Sequence, residues 1–301
     1  MSATVPTEPP DDGGGTATGL FLAHRNLLFT VAYELLGSAA DTEDVLQETW
    51  LRWANVDHDT VINHRAYLVR IATRLALTRL RTLGRRKEVY VGPWLPEPLL
   101  TTPDVADDVE LADSLSMAML LVLETLTPTE RAVFVLREVF DLGYDDIAQA
   151  VDRNPAAVRQ IARRARSHVA ARRPHAVASE AEVRDTLQAF QRAVETGRLQ
   201  GLLDLLAPDV VLLTDGGGVV PAALSPIVGA ENVARVLAKI AARGSLEPTR
   251  INGSPALILR MNDTIDTVVA VSVDAHLITG LYAVRNPQKL SWLDREIVVS
   301  R

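Results

Sequence analysis

Seven of the 22 residues in "DRNPAAVRQIARRARSHVAARR" (Asp152–Arg173) are arginine and only one is acidic, although the 301-residue chain has a net charge of −7. Asn154-Pro155 has the form of a helix cap followed by a first-turn proline. Behind it Val158, Ile161, Ala162, Ala165 and Val169 recur at helical spacing and define an inward stripe. That stripe turns Arg159, Gln160, Arg163, Arg164 and Arg166 outward, with Arg153 and Asn154 at the leading edge. Arginine pairs bidentately with guanine and glutamine with adenine, so this set is suited to reading base edges in a major groove. The preceding "GYDDIAQAV" is a short amphipathic helix, and the two together have the length and pattern of a helix-turn-helix. The competing reading is a helix pair with a solvated basic face.

A second basic set lies in "RAYLVRIATRLALTRLRTLGRRKE", where Leu68, Ile71, Ala72, Leu75 and Leu80 form a buried stripe and eight Lys and Arg residues decorate the remainder. The polar loop Asn55–His64 precedes it. Three groups could do acid–base work: Asp215, Asp266 and His276. Asp215 and His276 sit in turn-like sequence, where Asp and Gly occur for backbone reasons. The chain has no cysteine, which removes a thiol nucleophile, a Cys-ligated zinc and a disulfide framework. The six histidines show no metal-ligand spacing, and no cofactor is expected.

The elements that must position these groups are helical up to about Pro174. Leu20–Leu36 is a helix stopped by Gly37. "SAADTEDVLQETWLRW" follows as a capped amphipathic helix with acids in its first turn. "VGPWLPEPLLTTPDVADD" breaks the pattern with four prolines, and Thr101–Glu124 holds six acids and no Lys or Arg, so residues 92–113 read as an acidic, Pro-rich linker. Thr127-Pro128 opens another helix. Beyond Pro174, two helices lead into four strand-like runs, "DVVLLTD", "PALILRMN", "TIDTVVAVSVD" and "LITGLYAVRN", with the helix "GAENVARVLAKIAAR" among them, a pattern of the α+β class. Residues 1–18, rich in Pro, Gly and Thr, read as a disordered tail and not as a signal peptide. No apolar run approaches a membrane span, so a cytoplasmic location is expected. Residues 1–177 hold 19 basic and 24 acidic residues, and residues 178–301 hold 12 and 14. Nucleic-acid contact must therefore come from local patches.

"AADTEDVLQETWLRW" with "AYLVRIATRLALTRLR", and "LETLTPTERAVFVLREVFDLGYDDIAQAVDRNPAAVRQIARRARSHV", resemble the two domains of bacterial extracytoplasmic-function sigma factors, in order and spacing over Leu20–Ala171. "WLPEP" (Trp94–Pro98), "DGGG" (Asp215–Gly218) and "NPQKL" (Asn286–Leu290) resemble marks of the subgroup with a fused SnoaL-like domain. Val219 and Gln288 depart from its usual Lys and Asp. The resemblance implies two all-α domains, the second with a helix-turn-helix, plus a cone-shaped α+β SnoaL-like domain. The implied limits are a sigma region 2 domain at 19–91, the linker at 92–113, a region 4 domain at 114–174 and the SnoaL-like domain at 178–301. The implied partners are core RNA polymerase, through Asp44, Gln47, Glu48, Leu51 and Trp53, and promoter DNA. Arg153, Asn154, Arg159, Gln160, Arg163, Arg164 and Arg166 would take the minus-thirty-five element. Asn55, Asn63, His64, Arg70 and Arg74, with Asp57 near by, would take the minus-ten element, where a base must leave the stack. Trp94, Pro96, Glu97, Asp215, Gly216, Gly217, Asn286, Pro287 and Lys289 would join the extra domain to the sigma modules and regulate them. A small apolar ligand in the C-terminal domain is a further expectation. The implied function is non-enzymatic; the rival is a DNA-binding regulator tethered to a SnoaL-like cyclase or isomerase.

Overall fold

The computed structural model describes residues 14–102, 108–173, 178–239 and 244–301. Among the described residues, eight α-helices come first. They are α1 (Gly14–Leu36), α2 (Ala39–Trp53), α3 (His64–Glu88), α4 (Val109–Leu115), α5 (Met117–Glu124), α6 (Pro128–Phe134), α7 (Tyr144–Val151) and α8 (Pro155–Ala170). Their limits follow local chemistry. Gly37, at φ +66°, ends α1, and the Ser38 hydroxyl accepts the Asp41 N–H to start α2. Thr127 and Glu130 form a reciprocal capping box around Pro128, and a single π-turn over Val135–Val139 extends α6. Asp152, at φ +55°, closes α7, and the Asn154 side chain accepts the Ala157 N–H 2.8 Å away to cap α8.

These helices do not form two separate cores. Leu28, Tyr33 and Trp53 from the first half and Leu120, Leu136, Ile147 and Val158 from the second belong to one continuous apolar cluster. Helix α3 packs directly on α7.

The C-terminal part holds α9 (Glu180–Glu195), α10 (Leu199–Leu203) and α11 (Ala230–Ala238) against a six-stranded sheet of order β2-β1-β6-β5-β4-β3. The strands are β1 (Leu206–Asp215), β2 (Ile227–Val228), β3 (Ser245–Ile251), β4 (Ser254–Met261), β5 (Thr264–Asp274) and β6 (Leu277–Val284), followed by the one-turn α12 (Pro287–Leu290). Strands β3 to β6 form an antiparallel meander, and β1 joins β6 in parallel. Both faces of the sheet are covered. Leu257, Val269 and Val271 face the α9–α11 side, whereas their neighbours Ala256, Ile258, Val268 and Ala270 meet Leu95, Met117 and Leu290 on the other. The result is the cone-shaped α+β SnoaL-like architecture, wedged against the helical part.

Several sequence expectations need correction. The tail does not extend to residue 18, because α1 starts at Gly14 and the buried Ala17 carbonyl accepts the Trp53 indole N–H at 2.9 Å; residues 1–13 lie outside the described residues. Residues 92–113 are not a solvated linker throughout. Leu95 and Leu99 are fully buried and α4 begins inside the stretch, while Asp104 and Asp107 lie outside the described residues. Strands β2 and β3 were not anticipated, and α11 stops at Ala238, with residues 240–243 outside the described ones.

Candidate nucleic-acid interface and the interdomain joint

On α8, Arg159, Gln160, Arg163, Arg164 and Arg166 are exposed, opposite the buried Val158, Ile161, Ala162 and Ala165. Arg153 and Asn154 are also exposed, but Asn154 is engaged as the helix cap. Arg166 lies 3.5 Å from Glu138, and the Arg159 guanidinium stands 5.4 Å from the Tyr144 ring centre. Arg163 and Arg164 are the most available groups on this face.

The residues expected to take the minus-ten element lie in the loop before α3 and on α3 itself, and most are engaged in local structure. The Asn55 side-chain amide donates to the Leu51 carbonyl, Asp57 caps the short 3-10 turn His58–Thr60, and the Asn63 side-chain oxygen accepts the Ala66 N–H. His64 reaches the His58 carbonyl, and both imidazoles pack edge-on against Trp53. Arg70 and Arg74 do not face solvent alone: Arg70 donates to the Gln149 side chain at 2.9 Å, and Arg74 to the Gln149 carbonyl at 2.7 Å.

On α2, Asp44, Gln47, Glu48 and Leu51 are exposed, Leu51 at 57%. Asp44 pairs with Arg79 and Glu48 with Arg52. Trp53 must leave this set. It is 0% exposed and packs against the His58 and His64 rings of the loop before α3, so it offers no surface to a partner. A tryptophan four residues past Thr49 on an amphipathic helix falls on the buried side, a signal the heptad-like spacing of Val45, Leu46, Thr49 and Trp53 already carried.

The third constellation is a buried polar joint. Asp215, at the end of β1, is fully buried, and its carboxylate accepts from Lys289 (2.7 Å), the Tyr90 hydroxyl (2.6 Å), the Leu95 N–H (2.8 Å) and the Gly217 N–H (3.1 Å). Lys289 also donates to the Leu95 carbonyl at 2.5 Å, and Asn286 to Tyr90 at 2.8 Å. Two ammonium groups lie over the Trp94 ring, Lys87 at 3.5 Å and Lys289 at 4.1 Å from its centre. Lys87 pairs with Glu124, and Glu124 pairs with Arg131 at 2.6 Å. Pro96 is buried, and Glu97 caps α2 from a distance, accepting from Ser38 Oγ at 3.0 Å and from the Ala39 N–H at 2.6 Å. Gly217, at φ +61°, passes so close to Asn286 that a Cβ there would sit 2.3 Å from its amide nitrogen; Gly216 is similarly pressed against the Val220 carbonyl. Pro287 is exposed and serves as the first residue of α12.

Burial sets the charges of this joint. It lowers the Lys87 ammonium to about 8 against the pull of Glu124, and it lowers Lys289 against Asp215. Burial raises Tyr90, with Asp215 adding to the rise, and raises Glu97. Burial also works to raise Glu124, but Arg131 and Lys87 outweigh it and hold that carboxyl below its ordinary value.

The sequence reading missed three parts of the joint. Asn252, 1% exposed and at φ +54°, accepts the Leu99 N–H (2.7 Å) and donates to Tyr33 Oη (2.9 Å) and the Leu115 carbonyl (3.0 Å). Its signal was the Asn252-Gly253 pair, a strong hairpin-turn dipeptide. Glu34 is wholly buried, accepts from Ser114 at 2.7 Å and is pushed by burial up to about 8. Arg131, 2% exposed, donates to the Glu34 carbonyl at 2.8 Å. The three acid–base candidates do not converge. Asp215 is enclosed in the joint, Asp266 pairs with Arg285 at 3.0 Å, and His276 lies exposed in the β5–β6 hairpin at the opposite end of the sheet from Asp215.

An acidic-faced helix, a loop-and-basic-helix unit and a helix-turn-helix with free arginines define a sigma-70-type transcription factor. Residues 20–86 match the Sigma-70 region 2 family model, and residues 116–169 match the Sigma-70, region 4 model. The chain is 32% identical over 289 residues to the ECF RNA polymerase sigma factor SigJ of Mycobacterium tuberculosis, covering 90% of this chain and 92% of SigJ. It is 31% identical over 281 residues to the probable ECF sigma factor SigI of the same species, covering 91% and 95%. The crystal structure of SigJ superposes with a TM-score of 0.75 at 29% identity, over 92% of this chain and 99% of that one. The chain belongs to the extracytoplasmic-function RNA polymerase sigma factors. It is an alternative sigma factor that binds core RNA polymerase and promoter DNA and directs transcription initiation. Among the described residues no helix is long and apolar enough to cross a membrane.

Proposed function

We propose that the SnoaL-like domain controls in cis how the two sigma modules reach polymerase and promoter. The observation that carries this reading is the buried Asp215–Lys289 pair closed over Trp94, which ties the Trp94–Pro98 motif to the two motifs of the SnoaL-like domain in a single unit. In this reading Arg159, Gln160, Arg163 and Arg164 read the upstream element, with Arg153 and Arg166 on phosphates. Asn55, Asn63, His64, Arg70 and Arg74 serve the minus-ten element, and Asp44, Gln47, Glu48 and Leu51 meet the polymerase clamp. Both carboxylates that could have served acid–base chemistry are held in ion pairs, which favours regulation over catalysis.

The test is run-off transcription with core polymerase and the full chain. Lys289→Met opens the joint by removing a charge, and Gly217→Ala opens it by a steric clash. Promoter output is expected to change in both, with unfolding curves showing that the chain remains folded. Unchanged output from two folded variants would overturn regulation through this joint.

The C-terminal domain also contains an apolar cavity of about 360 Å³, lined by Phe190, Leu212, Leu259, Val269 and Leu281, with Arg285 at its polar end. That volume lies within the range of small-molecule sites and far above ordinary packing voids. A small apolar molecule is its proposed occupant. Ala283→Phe, which fills the space, is expected to abolish any fluorescence gain of anilinonaphthalene sulfonate on the full chain; a retained gain would remove the cavity from this reading.

A further inference from the structure

We propose that Ile62 is an apolar wedge with which this chain parts the bases of the minus-ten element. The inference rests on the promoter reading above and adds to it the residue that starts strand separation.

Among the described residues Ile62 is the most exposed of the large apolar side chains, with its surface wholly in solvent. Single exposed apolar residues are common on soluble proteins, so exposure alone assigns nothing. The setting singles this one out. Ile62 lies in the polar loop between α2 and α3, next to the exposed Asn63 and three residues before the exposed Arg65 in the first turn of α3.

The loop is built so that this side chain cannot retreat. Val61, directly before it, packs on the helical core. Asn63, directly after it, caps α3 by accepting the Ala66 N–H at 3.0 Å. The 3-10 turn His58–Thr60 is closed by the Val61 N–H on the His58 carbonyl at 3.1 Å, and the His58 ring is held to the Trp53 carbonyl at 3.1 Å. With both neighbours anchored, the Ile62 side chain remains presented to solvent.

Unstacking a base step is costly, and isoleucine is among the side chains that offset the cost by entering between two bases and burying apolar surface there. Because none of the Ile62 surface is buried in the free protein, all of it is available for that gain. Arg65 has no ion pair among the described contacts and stands ready for a phosphate beside the opened step. Of the two loop acids, Asp57 and Asp59, Asp57 is engaged as the cap of the 3-10 turn.

The test uses the full chain with core polymerase on one promoter template in two forms, fully paired or with the minus-ten segment held open by mismatches. On the paired form, Ile62→Ser is expected to lower run-off output about tenfold. On the open form its output is expected to stay within about twofold of wild type, because the strands are already apart. Ile62→Leu keeps an apolar tip and is expected to hold paired-template output within about threefold of wild type. The base analogue 2-aminopurine, placed in the minus-ten element of the paired form, should brighten on unstacking with wild type and fail to brighten with Ile62→Ser.

Equal loss on both forms would mean that Ile62 meets polymerase or a base already captured, and would overturn the wedge. Undiminished output from the paired form would do the same, as would a leucine variant no better than the serine one. A wild type that yields a core-dependent transcript from neither form would overturn the promoter reading and the wedge with it.

Discussion

Lys289 and Arg163 are both cations carried on helices, and they live in opposite surroundings. Lys289 is 5% exposed, pinned between Asp215, the Leu95 carbonyl and the Trp94 ring; Arg163 stands in solvent without a partner among the described contacts. At the joint, charge is costly to bury and is tolerated only because each ion meets its counter-ion and hydrogen-bonding groups. On α8, charge costs the fold little and remains available for DNA. The joint therefore answers to stability and domain geometry, and the recognition helix answers to affinity.

The largest effect is expected where a buried ion loses its partner. Asp215→Ala strands Lys289 and should cost about 3–5 kcal/mol in urea unfolding, whereas Asp215→Leu combined with Lys289→Met should recover much of the loss. A single variant no weaker than the double one would break the contrast. Next comes Asn252→Ala, which leaves buried groups of three segments without a partner and should cost about 2–3 kcal/mol by the same measurement. On the exposed side, Arg163→Ala should leave stability within about 0.5 kcal/mol. Its affinity for the upstream duplex should fall by about 1–3 kcal/mol. A stability loss with unchanged DNA affinity would place Arg163 in the wrong class.

The last prediction is a pH slope. The buried Glu34 carboxyl has a folded value of about 8 against an ordinary 4.5, so the folded state holds its proton more tightly than the unfolded one. Its contribution is fully present below 4.5 and is lost as pH rises through about 8. Glu34→Gln should flatten that part of the stability curve, and an unchanged slope would show that Glu34 does not set it.

Much of the helical part was legible. Capping residues and 3.6-residue spacing locate α2, α3, α6, α7 and α8, and the outward arginines of α8 follow from the inward Val158, Ile161, Ala162 and Ala165. The unbroken apolar run "VVAV" of β5 also carried a warning: a strand apolar on both faces is covered on both sides, here by α9 and by the sigma modules. What stayed hidden is non-local. β3, with Glu247, Pro248 and Arg250 in seven residues, has the mixed composition of an edge strand and gives little pattern. Nothing near Gln149 in sequence points to Arg70, 79 residues away. Trp53 is different: its spacing from Val45, Leu46 and Thr49 already places it on the buried side of α2, against the expectation that it meets a partner.

The amino-acid sequence alone determined the local elements, the helix-turn-helix, the surplus of cations and the membership of two sigma-type domains and a third α+β unit. The local elements follow from backbone caps and side-chain periodicity within a few turns, and the membership follows from the resemblance of the motifs to a known family. Only the tertiary structure decided which cations are buried, which face of α3 is covered, and that Trp94, Asp215 and Lys289 meet. Desolvation and ion pairing depend on groups brought together from far along the chain, and no local pattern encodes that distance.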